Sequence, residues 1–404
     1  MAGAGPGGGF QMAALRPPRR RPASRDAPPH PARLVSAEDA LRAPQAHGKR
    51  AAWRGSQPLR QGDMAVPWIL ARYRPAIEAE LRSVLAGRPD GLYHMLRYHL
   101  GWHDADGRPS SGAAGKALRP ALCLFICEAL AGDYRPALPA AASVELLHNA
   151  SLIHDDIQDE DRQRRHRPTV WALWGKAQAL NAGNALASLS ALSLQRLASA
   201  GVPAQRRRQA HQLLYETCLR LVEGQWLDLS FEGRTDVTTP EYLAMAELKT
   251  AAPIACALQM GALLAGADAP TIEGLGRCGR ALGLAYQISD DLLGIYGDDA
   301  KTGKPVGSDI HRHKRSFLTV YTLEHAGKAA RGRLAQMLAA PAGDAGHLAG
   351  AIALLDAAGA RAWAARQVQT YCERAMAALH GAPIPTWAHD GLREIAGFLA
   401  QREA

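Results

Sequence analysis

Two aspartate pairs, about 130 residues apart, carry the most chemistry in this chain. The first lies in LLHNASLIHDDIQDED, with Asp155, Asp156 and Asp159. The second lies in AYQISDDLLGIYGDD, with Asp290 and Asp291. On an α-helix, steps of one and four residues keep the first three within about 100° of one another. Carboxylates crowded at one end of an apolar stripe repel each other unless water or a cation sits between them. Hard oxygen donors select Mg²⁺, which keeps several waters and takes the rest of its shell from phosphate oxygens. The chemistry to expect is a diphosphate held by metal between two carboxylate-bearing helices. A single Asp-Asp pair is usually a helix cap or a solvated turn. Two pairs, each after an apolar run and each trailed by basic residues, set a stronger expectation.

Cations accompany the carboxylates. Lys116 and Arg119 stand at i, i+3 in GKALRP, so both can point the same way. Arg164 and Arg165 follow the first aspartate motif, and arginine's planar fork suits bidentate phosphate binding. Lys249-Thr250 precedes an apolar helix, and TGKPVGSDIHRHKRS supplies Lys304 and Lys314. Each alone reads as a solvated surface charge. Together with the five carboxylates they could hold two diphosphates plus Mg²⁺.

The elements that must position these groups are helices. Alanine and leucine dominate the 404 residues, β-branched and aromatic residues are sparse, and Val/Ile/Thr alternation is nearly absent. That composition predicts an all-α protein. Helical periodicity runs from about Trp68 nearly to the end. It breaks at 87–91, 104–112, 131–139, 201–203, 232–240, 266–270 and 340–346, each rich in Gly, Pro or Asp. About ten helices are expected between the breaks. Thr239 before Pro240 and Glu241 reads as an N-cap with proline at the first helical position. No composition shift divides 64–404, so one large helical bundle around a central apolar cavity is predicted.

The formal net charge of +9 is local: residues 1–63 carry eleven Lys/Arg against four Asp/Glu, about seven of those charges. The body is close to neutral, so the charge gives no support to nucleic-acid binding. The Gly/Pro/Arg-rich stretch 1–63 cannot bury enough apolar surface to offset its ordering entropy. It is expected to be a disordered tail, or an over-extended start with Met64 as the first residue. The six cysteines show no CxxC spacing and read as buried hydrophobes in a reducing compartment. No secretory signal is evident, and a cytoplasmic location is expected. The longest weakly polar run, Ala251 to Ala267, holds Pro253 and Gln259 and reads as a buried helix rather than a membrane span.

With these motifs in place, the chain resembles the trans-isoprenyl diphosphate synthases (polyprenyl synthetases) over roughly residues 70–400. GKALRP, LIHDDIQDEDRQRRHRPTVW, GQWLDL, LKTAAPI, YQISDDLLG and TGKPVGSD occur in that family's order and spacing. The resemblance implies the isoprenoid synthase type of bundle, a homodimer, and up to three Mg²⁺ ions per site. Lys116, Arg119, His148 and Arg165 would hold the diphosphate of isopentenyl diphosphate. Arg164, Lys249 and Lys304 would hold the allylic diphosphate, with Lys314 helping. Asp155, Asp159 and Asp290 would be the main metal ligands, with Asp156 and Asp291 in support. Thr250 and Gln287 would sit beside the reacting carbons. His148 fits, since seven residues before Asp155 is two turns along the same face.

The implied activity is Mg²⁺-dependent 1′-4 chain elongation. Small residues at Ala150 and Ser151, about 6 Å below the metal site, point to a product of about C20, with Leu147 and Phe125 as candidate floor residues. A terpene cyclase and a non-catalytic subunit are the alternatives. The retained Lys116, Arg119 and Arg164-Arg165 argue against both. Three positions depart from the family: Gly294 replaces the third aspartate of the second motif, His166 a common glycine, and Asn184 a common aspartate.

Overall fold

The computed structural model describes residues 67–110, 115–297, 307, 310, 314–339 and 345–400. All of these fall in one compact unit, Leu59–Ala404. The expectations for residues 1–63 and for Lys304 lie outside the described residues.

The described chain is helical, as composition demands. The helices are α1 Trp68–Leu85, α2 Leu92–His99, α3 Leu118–Ala131, α4 Leu138–Gln158, α5 Val170–Trp174, α6 Lys176–Gln195, α7 Ala204–Ser230 and α8 Thr239–Ala246. They continue as α9 Ala252–Ala265, α10 Ala269–Tyr296, α11 Phe317–His325, α12 Lys328–Ala339, α13 Ala345–Ala357, α14 Ala360–Ala377 and α15 Thr386–Ala400. That makes fifteen α-helices among the described residues, against about ten expected. The surplus comes from short pieces such as α5 and from long helices divided at a turn. One two-stranded ribbon, β1 Gln163–Arg164 with β2 Arg167–Pro168, interrupts the all-α pattern.

Capping corrects one sequence expectation. The N-cap before Pro240 is Thr238, not Thr239. Its hydroxyl accepts from the Glu241 backbone N–H at 3.4 Å, and the Glu241 carboxylate accepts from the Thr238 N–H at 2.8 Å. This reciprocal pair satisfies two donors that a helix start leaves open.

The centre of the bundle is α9, enclosed by α3, α7 and α10. Glycines let backbones meet there. A Cβ on Gly261 would lie 2.3 Å from the Cys123 carbonyl of α3, and one on Gly283 of α10 would lie 2.3 Å from the Ala251 Cα. α8 and α9 form one continuous helix, Thr239–Ala265, joined by a π-turn at Glu247–Ala251. It is long and apolar enough to cross a membrane, yet 78% of its most apolar window is buried inside the bundle. The run read from the sequence as a buried helix is the core helix. α4 packs along α6, with Ser143 and Ser190 hydroxyls 3.1 Å apart between them.

Candidate functional site

α4 presents His148, Ser151, Leu152, Asp155 and Asp159 at steps of three, one, three and four, a single face of the helix. Together with α3, α7 and α9, that face encloses a cleft of about 440 Å³. Arg119, His148, Asp155, Lys249 and Thr250 line its polar end. Leu152, Leu221, Val222, Trp226, Leu229 and Pro253 line its apolar length.

At the polar end, carboxylates and cations interlock. Lys249 Nζ lies 3.2 Å from Asp155 Oδ1 and 2.5 Å from Asp228 Oδ2. Arg164 donates through Nε to Asp156 Oδ1 at 2.6 Å and through Nη2 to Asp155 Oδ2 at 3.3 Å. Lys314 pairs with Asp159. Lys249 sits in the π-turn, where an extra residue per turn re-aims the side chain, a frequent device at functional sites.

The electrostatics follow from burial and these pairs. Burial alone would raise the Asp155 carboxyl, but Lys249, Lys314 and Arg164 outweigh it and hold the group well below the usual range. Asp159 goes the other way, raised by burial and by the neighbouring Asp155 charge. Burial pushes Asp156 up to about 7, and its Oδ2 is buried without a partner.

Among the described residues, no three His, Cys, Asp or Glu side chains already converge as a closed metal site. The donor set nonetheless fits a hard divalent cation. It is all carboxylate oxygen, it gathers three cationic side chains, and it holds one orphaned oxygen. Such an ion completes its shell from water and phosphate rather than from a protein cage.

A second basic pocket lies alongside. Arg119 Nη1 and His148 Nε2 are 3.2 Å apart. The Arg165 guanidinium lies across Gly115, where a Cβ would come within 2.6 Å of Nη2. Lys116, exposed, holds its Nζ 5.4 Å from the centre of the Phe398 ring. Burial, reinforced by the neighbouring arginines, lowers His148 well below its usual value, and burial lowers Arg119 and Arg165 as well. The buried acid here is Glu145, which burial raises and which Asn149 contacts at 3.1 Å. Arg119, Arg165, Lys116 and His148 together could cradle an anion.

Arg164 and Arg165 are carried by the β1–β2 hairpin. Arg164 pairs with Arg167 across it, leaving Arg165 and His166 as a two-residue loop. Both have positive φ, 53° and 61°. This is the turn that normally requires Asn-Gly, because two consecutive residues must enter the left-handed region. Consecutive arginines therefore point to opposite sides. The glycine common at His166 has a physical reason. Replacing His166, which is exposed, with glycine should raise stability by about 0.5–1 kcal/mol, measured as a rise in Tm with kcat unchanged.

Several expected residues sit differently from their grouping in sequence. Asp291 is buried in the wall, its oxygens engaged by Gln287 at 2.9 Å, Tyr242 at 2.6 Å and the Phe317 N–H at 2.6 Å. Asp290, next to it, is exposed. Ala150 is 2% exposed and lies off the cleft, whereas Ser151 lines it. Phe125 does not line the cleft; its ring packs edge-on against Trp68 and Trp387, at 5.9 and 5.3 Å. Leu147 is likewise buried outside the lining. Thr250 and Gln287 do meet, at 2.5 Å.

Asp228 and Tyr242 were not anticipated. Asp228 belonged to GQWLDL, and an acid set between the leucines of WLDL was the available signal. His99 was also missed. Its Nε2 is buried without a partner, and burial with Arg165 and Arg164 nearby lowers it to about 3.

Known proteins resemble this arrangement. Residues 108–355 match the family profile described as polyprenyl synthetase. The (2E,6E)-farnesyl diphosphate synthase of Mycobacterium tuberculosis is 43% identical over 340 residues, spanning 83% of this chain and 93% of its own. The geranylgeranyl diphosphate synthase of that organism is 40% identical over 330 residues, spanning 81% and 92%. A solved polyprenyl synthetase from Streptomyces coelicolor A3(2) matches with a TM-score of 0.77 at 37% identity, covering 83% of this chain and 99% of that one.

Proposed function

The chain belongs to the polyprenyl synthetase family of trans-isoprenyl diphosphate synthases, and from that premise we propose how its residues divide the work of a prenyl chain-elongating transferase. Arg164, Lys249 and Lys314, with Lys304, hold the allylic diphosphate beside Asp155 and Asp159. Lys116, Arg119, His148 and Arg165 hold the diphosphate of isopentenyl diphosphate. The observation that carries this division is the hairpin that sends Arg164 to the carboxylates and Arg165 to Gly115.

Asp155, Asp159 and Asp290 would hold Mg²⁺, up to three ions per site. Bound there, Mg²⁺ offsets the negative charge that builds on the leaving diphosphate. The cationic side chains share that task in a site partly closed to water. As the allylic C–O bond breaks, the carbon becomes cation-like. The double bond of isopentenyl diphosphate attacks it, forming the new C–C bond. The neighbouring proton then passes to the departed diphosphate. Thr250 and Gln287 lie beside the reacting carbons. The apolar residues Leu152, Leu221 and Leu229 along the cleft limit the access of water that would quench the cation to an alcohol.

The product we propose is C20. Ser151 is small and faces the cleft about one turn from Asp155. Feeding farnesyl and isopentenyl diphosphates with Mg²⁺ and weighing the product by mass spectrometry tests this. A chain that stops at C15 overturns it. With geranyl diphosphate (C10) as the primer instead, Ser151→Phe should move the main product from about C20 toward C15, because packed walls absorb added bulk only with strain. An active Ser151→Phe enzyme with an unchanged product would mean growth along another wall.

The reading also makes the enzyme a cytoplasmic homodimer. None of the six cysteines forms a disulfide. Tyr215, Leu219, Val222 and Trp226, 57–67% exposed, form a stripe along α7 at the spacing of a helix–helix seam. A monomer in sedimentation velocity would remove this part of the proposal.

A further inference from the structure

Thr250 lines the cleft, yet its hydroxyl hydrogen is committed inside the wall. Thr250 Oγ1 donates to Gln287 Oε1 at 2.5 Å. Gln287 Nε2 donates to Asp291 Oδ1 at 2.9 Å. Asp291 Oδ2 accepts from the Tyr242 hydroxyl at 2.6 Å and from the Phe317 backbone N–H at 2.6 Å. The direction of this chain is set at its inner end. An ionised carboxylate only accepts, so Gln287 must turn its NH₂ toward it and its carbonyl toward Thr250. Thr250 must then donate to Gln287. What remains to face the cleft is the lone-pair side of its oxygen.

We propose that Tyr242 is a positioning residue for the condensation. Acting through Asp291 and Gln287, it holds the Thr250 oxygen with its lone pairs toward the allylic carbon that becomes cation-like. This rests on the chain-elongation reading above. A hydroxyl free to rotate would present its hydrogen to that carbon part of the time, and a positive end repels a cation. A dipole fixed before the reaction needs no reorganisation when charge appears. The anchor is rigid. Tyr242 is 1% exposed, its ring lies 5.3 Å from that of Phe317, and Phe317 stacks on Trp363 at 4.3 Å. Burial and the Asp291 charge push the Tyr242 hydroxyl well up, so it remains a donor. Asp291 accordingly belongs to this chain, while the exposed Asp290 is the aspartate of the pair left to meet an ion.

The test is a double-mutant cycle on the full-length enzyme. Tyr242→Phe keeps the ring and removes the donor. It should lower kcat about tenfold with both KM values within about twofold. The loss should deepen on an allylic substrate carrying fluorine beside the reacting carbon, where the cation costs more. In a Thr250→Val background, Tyr242→Phe should add no further loss, because its effect runs through Thr250. Independent, multiplying losses overturn the proposal, as does wild-type kcat in Tyr242→Phe. Should that variant fail to fold, Asp291→Asn removes the charged acceptor that orients Gln287 and enters the same cycle. If Arg164→Ala abolishes elongation while neither variant couples to Thr250→Val, this proposal alone fails. A wild-type enzyme that joins no isoprene unit would fail the functional reading itself.

Discussion

Asp155→Ala should lower kcat by at least about a hundredfold, an electrostatic loss of about 2.7 kcal/mol or more. Asp155 is the residue on which the site's charges meet, with Lys249 on one oxygen and Arg164 on the other. Removing it takes away a proposed metal ligand and frees the two cations to collapse onto other acids. Both have one within reach, Asp228 for Lys249 and Asp156 for Arg164. No charge is left buried and unpaired, so the melting temperature should stay within a few degrees. The check is steady-state turnover at saturating substrates and excess Mg²⁺, with a thermal melt alongside. Near-wild-type turnover would refute the assignment of the first aspartate motif.

The second large effect comes from a residue with no chemistry. Gly224 of α7 faces the π-turn, where a Cβ would lie 2.3 Å from the Lys249 backbone nitrogen and 2.7 Å from its Cα. An exposed helical Gly→Ala change ordinarily stabilises by up to about 1 kcal/mol. Here the obstructing atoms are backbone in the middle of a packed helix, so the sign should reverse. Gly224→Ala should cost about 3 kcal/mol, the upper part of the range for overpacking. It should also lower kcat at least tenfold, because displacing Lys249 by a fraction of an ångström spoils its geometry toward Asp155 and Asp228. Denaturant melts and turnover, with the exposed neighbour Glu223→Ala as reference, decide it. A stabilised, fully active Gly224→Ala would mean that α7 can move off the turn at no cost.

How much of this was legible in sequence depended on whether a feature is local. The face of α4 could be phased from spacing alone, and His148, Asp155 and Asp159 share it as read. Of the two small residues expected below the metal site, Ser151 lines the cleft and Ala150 does not, because helix phase says which residues align but not where the cavity axis runs. Thr238 and Thr239 are equal capping candidates until the backbone shows which one leaves the helix. The π-turn left no compositional mark at Lys249-Thr250. The hairpin was hidden because Arg165-His166 lacks the usual Asn-Gly signal. Asp291 could be separated from Asp290 only through Tyr242, 49 residues away in sequence. Contacts at that range are set by the packing of α8 on α10, which no window of sequence contains.

The glycine contacts around α9 give the cleft walls of unequal stiffness. On the side that carries Lys249 and Thr250, backbone meets backbone: Gly224 on Lys249, Gly283 on Ala251, Gly279 on Ala255 and Gly261 on Cys123. Close-packed main chain has almost no compressibility and no rotamer to change. The opposite side is built from the longer side chains of Leu152, Leu221 and Trp226, which can change rotamer. A hydrocarbon tail lengthened from the Thr250 end behaves like a wedge driven between an anvil and a cushion. Under the proposed elongation, its thrust would be taken up by these side chains, while the backbone around Lys249 and Thr250 keeps its place.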